Sequence, residues 1–449
     1  MPLSGLEIYK LLPKTNCKEC GFPTCLAFAM KLAAKQADLS ACPYVSEEAK
    51  QALEAASAPP IRLVTLGGTD HKVEVGNETV LFRHEKTFFH QPGVFVRVPD
   101  NLPAAELEAK VAEIVGFKTE RVGVDLFVDG IAVQNVSGNP ETFAQAVATV
   151  RGKTKRPMIL LSDNPAAIAA GLAKEGGLAP LVGPATASNW QEMAKAAKAA
   201  NASILVRADG DLGALVDVAE NVKAAGVENI VLDPGARTLA GNLARFTQLR
   251  RLALKKNFRP LGYPLAAFPG DGAASSEDEV VAAAQAIAKY GGIVVLGHFD
   301  PAAMYILLTL RLNIFTDPQK PIQVSPGVYE FNAPKPESPL LVTTNFSLTY
   351  FSVAGEVEAS GQPAWLLITD AEGMSVLTAW AAGKFDAERI AKAVKSFSVP
   401  DRINHKKIVI PGLVATISGE LEEELPGWDV RVGPREAVDI PSYLKNVWK

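Results

Sequence analysis

From about residue 93 to residue 322, short apolar runs alternate with longer, alanine-rich amphipathic runs, and no other feature restricts the possible folds of this chain so sharply. Strands are expected at Val94–Val98, Asp125–Val128, Met158–Leu161, Leu181–Val182, Ile204–Val206, Ile230–Leu232, Leu261–Tyr263 and Ile293–Leu296. Helices are expected near 104–115, 139–150, 164–174, 188–199, 211–225, 236–255, 277–289 and 302–313, with start signals at Ser188 and at Ser275-Ser276. Eight strand–helix pairs predict a (β/α)8 TIM barrel. A doubly wound open sheet is the alternative, but no Gly-x-Gly-x-x-Gly turn accompanies the strands. The expected strand ends carry Asp129, Ser162, Asp163, Asn164, Arg207, Asp209, Asp233, His298 and Asp300. No metal-ligand set or catalytic residue stands out among them. A structural or interface role outweighs catalysis for the isolated pair His298 and Asp300, so the barrel reads as a platform.

The flanking sequence does not continue this pattern. Residues 1–57 suggest a small helical module, with a Ser4–Glu7 capping box, a helix starting near Pro23 and a third from about Ser46 to Ala56. Residues 58–92 read as linker and short β-strands (Ile61–Leu66, Lys72–Val75, Thr79–Phe82), 93–325 as the barrel and 326–449 as a last α/β domain. In the last domain strands are expected at Leu340–Thr344, Val353–Glu356, Trp365–Thr369, Lys407–Ile410 and Trp428–Val432, with helices near 374–383, 386–397 and 414–423. That alternation predicts a small Rossmann-like sheet with helices on both faces. A formal net charge of −4 gives no support for nucleic-acid binding. The absence of an apolar run of ~18 residues, and of a signal peptide at the start, leads us to expect a cytoplasmic protein with no membrane span.

All four cysteines of the chain fall between positions 17 and 42, at Cys17, Cys20, Cys25 and Cys42. Four soft donors with no histidine nearby suit a tetrahedral zinc or an iron–sulfur cluster. Gly21, the placement of Cys25 near a helix start, the Cys42-Pro43 step and the single Cys-x2-Cys pair favour a [4Fe-4S] cluster over structural zinc. Two disulfides would require an oxidising compartment.

The last domain has four polar or glycine-rich turns at expected strand ends: Thr343 to Ser347, Asp370 to Ser375, Pro411 to Leu413 and Gly433 to Ala437. Ligands of open α/β sheets bind at such an edge, although the same turns also serve as plain connections.

The run Gly5-Leu6-Glu7-Ile8-Tyr9-Lys10-Leu11-Leu12-Pro13, the four cysteines, the eightfold alternation and Ala371-Glu372-Gly373-Met374-Ser375-Val376-Leu377-Thr378-Ala379-Trp380 together resemble the large subunit of the corrinoid iron–sulfur protein, over the whole chain. The resemblance implies a methyl carrier rather than a self-sufficient enzyme. Its partners would be a small barrel subunit in a heterodimer, a separate methyltetrahydrofolate:corrinoid methyltransferase and acetyl-CoA synthase. Its corrinoid would take up a methyl group as Co(I) and pass it to a nickel centre, and the cluster would return Co(II) to Co(I). Carried onto matching positions, the corrinoid contacts are Thr343, Thr349, Gly373, Met374, Ser375, Val376, Gly433, Arg435 and Ala437. Asn345 and Gly412 are added from turn geometry. Corrinoid proteins that supply a histidine ligand carry an Asp-x-His-x-x-Gly loop, and this chain has none. His405 is expected to be a solvated loop residue and the corrinoid to be base-off. Flexible joints near 57–60 and 317–337 would let one cobalt face meet successive partners. The competing reading is a cluster-bearing electron-transfer or scaffold subunit without a corrinoid, and a third is a barrel methyltransferase that itself binds a folate.

Overall fold

The computed structural model describes residues 5–34, 36–47, 49–50, 53, 59–88, 90–317 and 321–448. Ser4, most of 51–58 and 318–320 lie outside the described residues, and with them the Ser4 capping box and parts of both expected joints. The chain divides into two compact units, Met1–Phe117 with Phe127–Phe315, and Lys118–Leu126 with Thr316–Lys449.

The first unit holds a closed barrel of eight parallel strands: β3 (Gly93–Pro99), β6 (Gly130–Gln134), β7 (Met158–Leu161), β8 (Leu181–Ala185), β9 (Ser203–Arg207), β10 (Ile230–Asp233), β11 (Leu265–Ala267) and β12 (Gly291–Leu296). Strands covered on both faces are apolar along most of their length, and β7, β8 and β10 are buried at every position. The alternating helices are α3 (Ala104–Gly116), α4 (Pro140–Lys153), α5 (Pro165–Glu175), α6 (Trp190–Ala199), α7 (Leu212–Ala224), α8 (Leu239–Lys255), α9 (Ser276–Ala288) and α10 (Pro301–Phe315). Side chains of Asn139, Asn164, Asp211, Thr238 and Ser275 cap five of them. A hairpin of β1 (Val64–Gly67) and β2 (Lys72–Val75) packs Val64, Leu66, Val73 and Val75 into the barrel core with Phe95, Ile159 and Ile293. It closes the N-terminal mouth, with the Gly67 amide bonded to the Ala179 carbonyl just ahead of β8.

Two barrel strands differ from expectation. The second is Gly130–Gln134, not Asp125–Val128: Val124–Phe127 (β5) pairs instead with Lys118–Arg121 (β4) as a separate two-stranded sheet. Both runs are short and apolar, so periodicity cannot choose between them. Tertiary packing does, because a side chain at Gly130 would stand 2.1 Å from the Pro157 carbonyl oxygen. Asp129 therefore precedes its strand rather than ending it, and it pairs with Arg311 while accepting a hydrogen bond from the Val94 amide. The seventh strand starts only after Pro264, because Arg259–Leu261 forms a 3-10 turn. Thr79–Phe82 forms no strand.

The second unit is a five-stranded sheet in the order β13 (Gly327–Phe331), β15 (Ala364–Thr369), β14 (Leu340–Thr344), β16 (Lys407–Ile410), β17 (Asp429–Val432). Only β13 is antiparallel. One face buries α12 (Val376–Ala381), α13 (Ala387–Ser396) and α14 (Ser418–Glu424) over a core including Leu367, Ile390 and Leu421. The other buries α11 (Ser347–Ala359) and α15 (Ile440–Asn446) through Ala354, Val357 and Leu444. Val353–Glu356 is thus helical, not a strand: a β-branched Val353 suggested extension, but Ala354 and Val357, three apart, pack on one core. The edge strand β13 and helix α15 were not anticipated.

Candidate functional site

The cysteine module consists of α1 (Gly5–Leu11), α2 (Cys25–Ala33) and the segment to Cys42, packed on Ile8, Leu12, Phe28, Ala29 and Val45. A further helical turn follows, where the Ser46 hydroxyl accepts from the Ala49 amide. Thr24 caps α2 by accepting from the Ala27 amide at 3.0 Å. This sets Cys25 at the helix N-terminus, whose backbone N–H groups and positive dipole end favour a negatively charged centre. Asn16 braces the same residue twice: its Oδ1 accepts from the Cys25 amide at 2.8 Å, and its own amide donates to Cys25 Sγ at 3.4 Å. Cys25 and Cys42 are buried in the module core, Cys20 packs against it and Cys17 is exposed. Tyr44 links both ends of the motif. Its hydroxyl donates to Glu19 at 2.8 Å, and its pKa is raised first by that bond, then by the Glu19 charge and by slight desolvation, with the Cys17 and Cys42 thiols adding to it.

All four thiols are free. Among the described residues no three His, Cys, Asp or Glu side chains are gathered closely enough to form a metal-ligand set. A donor set of four thiols, with an N–H already directed at one sulfur, fits a thiolate-bound cluster.

The second site is an apolar cavity of about 330 Å³ in the C-terminal unit. It opens between β14 and β16, where the strand order reverses and the two strands share only the Leu341–Val409 register pair. In open α/β sheets this crevice is the ligand position. Of the residues expected from sequence, Thr343, Thr349, Ser375, Val376, Gly433, Arg435 and Ala437 line it. Asn345, Gly373, Met374 and Gly412 are absent from the lining and sit behind it. Met374 packs against the core, and Asn345 is buried with its amide engaged by the 370–373 turn. At Gly412 a side chain would stand 2.4 Å from the Gly433 carbonyl oxygen, so glycine is what allows two lining turns to touch.

The cavity carries unmet polar demand. Of the lining residues, Thr343 is 1% exposed and its hydroxyl has no hydrogen-bond partner; the hydroxyls of Thr344 and Ser347, at the same strand end but outside the lining, are also buried and unpaired. No side chain caps the N-terminus of α11, which contributes Leu348, Thr349 and Ser352 to the lining. Apolar side chains frame the rest: Leu348, Leu377 and Leu413 line the cavity while remaining 54%, 46% and 41% exposed. The residues expected from sequence did not include these leucines, although Leu413 ends one of the turns singled out. Each sits within two residues of a turn that was singled out, and that is the signal that could have found them. A buried unpaired hydroxyl at Thr343 beside an apolar frame fits a corrinoid, whose macrocycle is apolar and whose amide side chains accept and donate hydrogen bonds.

His405 stands away from this cavity. Its Nε2 donates to the Ser338 carbonyl, just ahead of β14, and its Nδ1 accepts from the Lys407 amide at the start of β16. It is therefore a half-buried brace at the opposite end of the strands rather than a solvated loop residue, and both ring nitrogens are engaged.

The barrel's C-terminal mouth is different again. A cavity of about 100 Å³ is lined by Asn135, Asp163, Arg207 and an ion-pair chain. Arg97 meets Asp271 at 2.6 Å, Asp271 meets Arg237 at 3.3 Å, and Arg237 forks onto Asp233 at 2.9 and 2.7 Å. Burial would lower the Arg237 pKa, but the bonds and charges of Asp233 and Asp271 outweigh it and hold it raised. His298 Nδ1 lies 2.8 Å from buried Glu279, and Asp300 caps α10 by accepting from the Ala303 amide.

Comparison with known proteins agrees with this layout. The profile of a family described as CO dehydrogenase/acetyl-CoA synthase delta subunit matches residues 63–444, and an Fe-S cluster profile matches residues 12–44. The chain is 46% identical to the corrinoid/iron-sulfur protein large subunit of Moorella thermoacetica over 445 residues, covering 99% of each chain. It is 36% identical to the acetyl-CoA decarbonylase/synthase complex subunit gamma of Methanothermobacter thermautotrophicus, covering 100% of this chain and 99% of that one. Among solved structures, the 7,8-dihydropteroate synthase of Vibrio fischeri superposes with a TM-score of 0.41 at 13% identity, over 57% of this chain and 99% of that one. Among the described residues no helix is long and apolar enough to cross a membrane. A cysteine module and a barrel in one chain, matched along its full length, lead to one assignment: the chain belongs to the corrinoid/iron-sulfur protein large-subunit family of the CO dehydrogenase/acetyl-CoA synthase system.

Proposed function

We propose that this chain is a corrinoid-dependent methyl carrier whose C-terminal unit, a Rossmann-like domain, holds a base-off corrinoid and whose N-terminal module holds a [4Fe-4S] cluster. When bound, the corrinoid would supply a Co(I) nucleophile for carrying a methyl group from methyltetrahydrofolate, by way of a separate methyltransferase, to the nickel centre of acetyl-CoA synthase, and the cluster would supply the electron for returning Co(II) to Co(I). The observation that carries the reading is the cavity at the β14/β16 crevice, with its unpaired Thr343 hydroxyl and its leucine frame. Thr343, Thr349, Ser375 and the 433–437 turn would bind the corrin's amide side chains. Val376 and the three leucines would cover its apolar face and exclude water. Asn345, Gly373, Met374 and Gly412 would hold the lining turns in place. His405 is engaged at the far end of the strands, which supports a cobalt without a histidine ligand. Cys17, Cys20, Cys25 and Cys42 would ligate the cluster, with the Asn16 amide donating to one sulfur. The exposed leucines also suit a partner subunit closing over the cofactor, and we take the small subunit of a heterodimer as that partner.

Anaerobic visible spectroscopy with metal analysis of the purified complex tests the reading. Base-off corrinoid bands with about one cobalt and about four irons per chain are expected. Iron without cobalt, and no spectral change on adding a cobamide with the partner subunit, would leave an electron-transfer subunit. Zinc alone would remove the redox role too.

A further inference from the structure

Asn345 is the one candidate contact whose side chain is buried with its hydrogen-bonding groups engaged by protein. Its Oδ1 accepts from the Ala371 amide at 2.9 Å and the Gly373 amide at 3.0 Å. Its Nδ2 donates to Asp370 Oδ1 at 3.2 Å and to Gln323 Oε1 at 3.1 Å. Three of these four bonds hold the 370–373 turn, which leads directly into the cavity-lining residues Ser375, Val376 and Leu377. The fourth reaches a different part of the unit: Gln323 belongs to the segment through which the chain enters from the barrel side.

That lead-in segment is tied to the same place by its backbone. The Val324 amide donates to the Asn345 carbonyl at 2.9 Å, and the Ser347 amide donates to the Ile322 carbonyl at 3.1 Å. Its side chains also bear on the turn. A Cβ at Gly373, whose φ is +73°, would stand 2.7 Å from Gln323 Cγ and 2.9 Å from Pro321 Cγ. The lead-in segment therefore clamps the turn both directly and through one amide.

We propose that Asn345 is a positioning residue that couples the chain's lead-in to the C-terminal unit with the turn beside the cofactor cavity. The inference rests on the corrinoid reading of that cavity. Displacing Gln323 removes one bond from Asn345 and the packing over Gly373, and so loosens the turn whose end lines the cavity. A carrier domain that shifts on its connecting segment would thereby change the grip on its cofactor without any new contact to the ligand. A local turn brace would show no such link, because the three bonds to the turn survive when Gln323 is changed.

The test uses the full chain in complex with its partner subunit, with Gln323→Leu and Asn345→Asp as variants. Gln323→Leu leaves Asn345 intact. It is expected to raise hydrogen exchange at the Ala371 and Gly373 amides about fivefold, the equivalent of one hydrogen bond of about 1 kcal/mol, while β15 exchange stays unchanged. Corrinoid release, followed by the visible spectrum after addition of a competing cobamide, should quicken by a similar factor. Asn345→Asp keeps the acceptor for both amides but loses both donors, and should match Gln323→Leu in direction. Exchange at 371 and 373 within about twofold of the parent in Gln323→Leu would overturn the coupling. Faster exchange in a complex that takes up no cobamide would uphold the mechanical link while removing the function it serves.

Discussion

The barrel mouth and the edge of the C-terminal sheet are built alike, from parallel strands ending in short turns ahead of helices, yet they present opposite chemistry. At the barrel mouth, Arg97, Arg237, Asp233 and Asp271 neutralise one another across a space of about 100 Å³. At the sheet edge, a cavity of about 330 Å³ holds the buried Thr343 hydroxyl with no partner inside an apolar frame. Strand-end geometry alone therefore does not designate a site; what matters is whether its polar groups are already paired. A closed barrel brings eight strand ends into one ring, where opposite charges reach each other. An open sheet that reverses its strand order splays two strands apart and leaves their groups facing a gap.

The largest expected effects lie outside this pair of regions and set its scale. Cys25→Ser removes the sulfur that is both at a helix N-terminus and hydrogen-bonded by Asn16, and iron and sulfide analysis should show loss of most of the cluster, with the barrel's thermal unfolding unchanged. Within the comparison, Asp233→Ala leaves Arg237 half-buried with one carboxylate fewer. It should destabilise the first unit by about 3 kcal/mol in denaturant titration and leave corrinoid retention untouched. Lost retention would show that the barrel mouth participates after all. Thr343→Val should do the reverse: removing an unpaired buried hydroxyl stabilises the cofactor-free chain by about 1 kcal/mol, while corrinoid affinity falls roughly tenfold. A loss of stability without loss of affinity would mean that the hydroxyl serves the fold.

The smallest effect concerns pH. Burial pushes the Asp100 carboxyl up, but the Ser137 hydroxyl and amide, the Asn135 side chain and the Val136 amide outweigh it and hold the pKa below the usual value. A depressed folded-state pKa contributes stability that is complete above the unfolded value of about 3.9 and is lost as pH falls through the folded one. The 135–139 turn should thus loosen only in that acid range, as read by hydrogen exchange, and Asp100→Asn should abolish the dependence.

Much of this architecture was legible beforehand. Strands β7, β14 and β16 lie where their apolar runs lie, because parallel strands covered on both faces are apolar along most of their length. Helices α4, α5, α7 and α9 begin at capping residues visible in the chain. The candidate site was legible as turns rather than as side chains. The 343, 375 and 433–437 positions line the cavity, whereas Asn345 and Gly412 support it from behind, because a turn's sequence does not reveal which way its side chains point.

The sequence by itself determined the cysteine module, the eightfold alternation and the turn-rich last domain, since spacing and periodicity are properties of the linear chain. Only the tertiary structure decided which of two equal apolar runs enters the barrel, which arginines cancel which aspartates, and which hydroxyls remain unpaired. Those outcomes depend on residues far apart in the chain, such as Gly130 against Pro157 or Arg97 against Asp271, whose meeting no local pattern encodes.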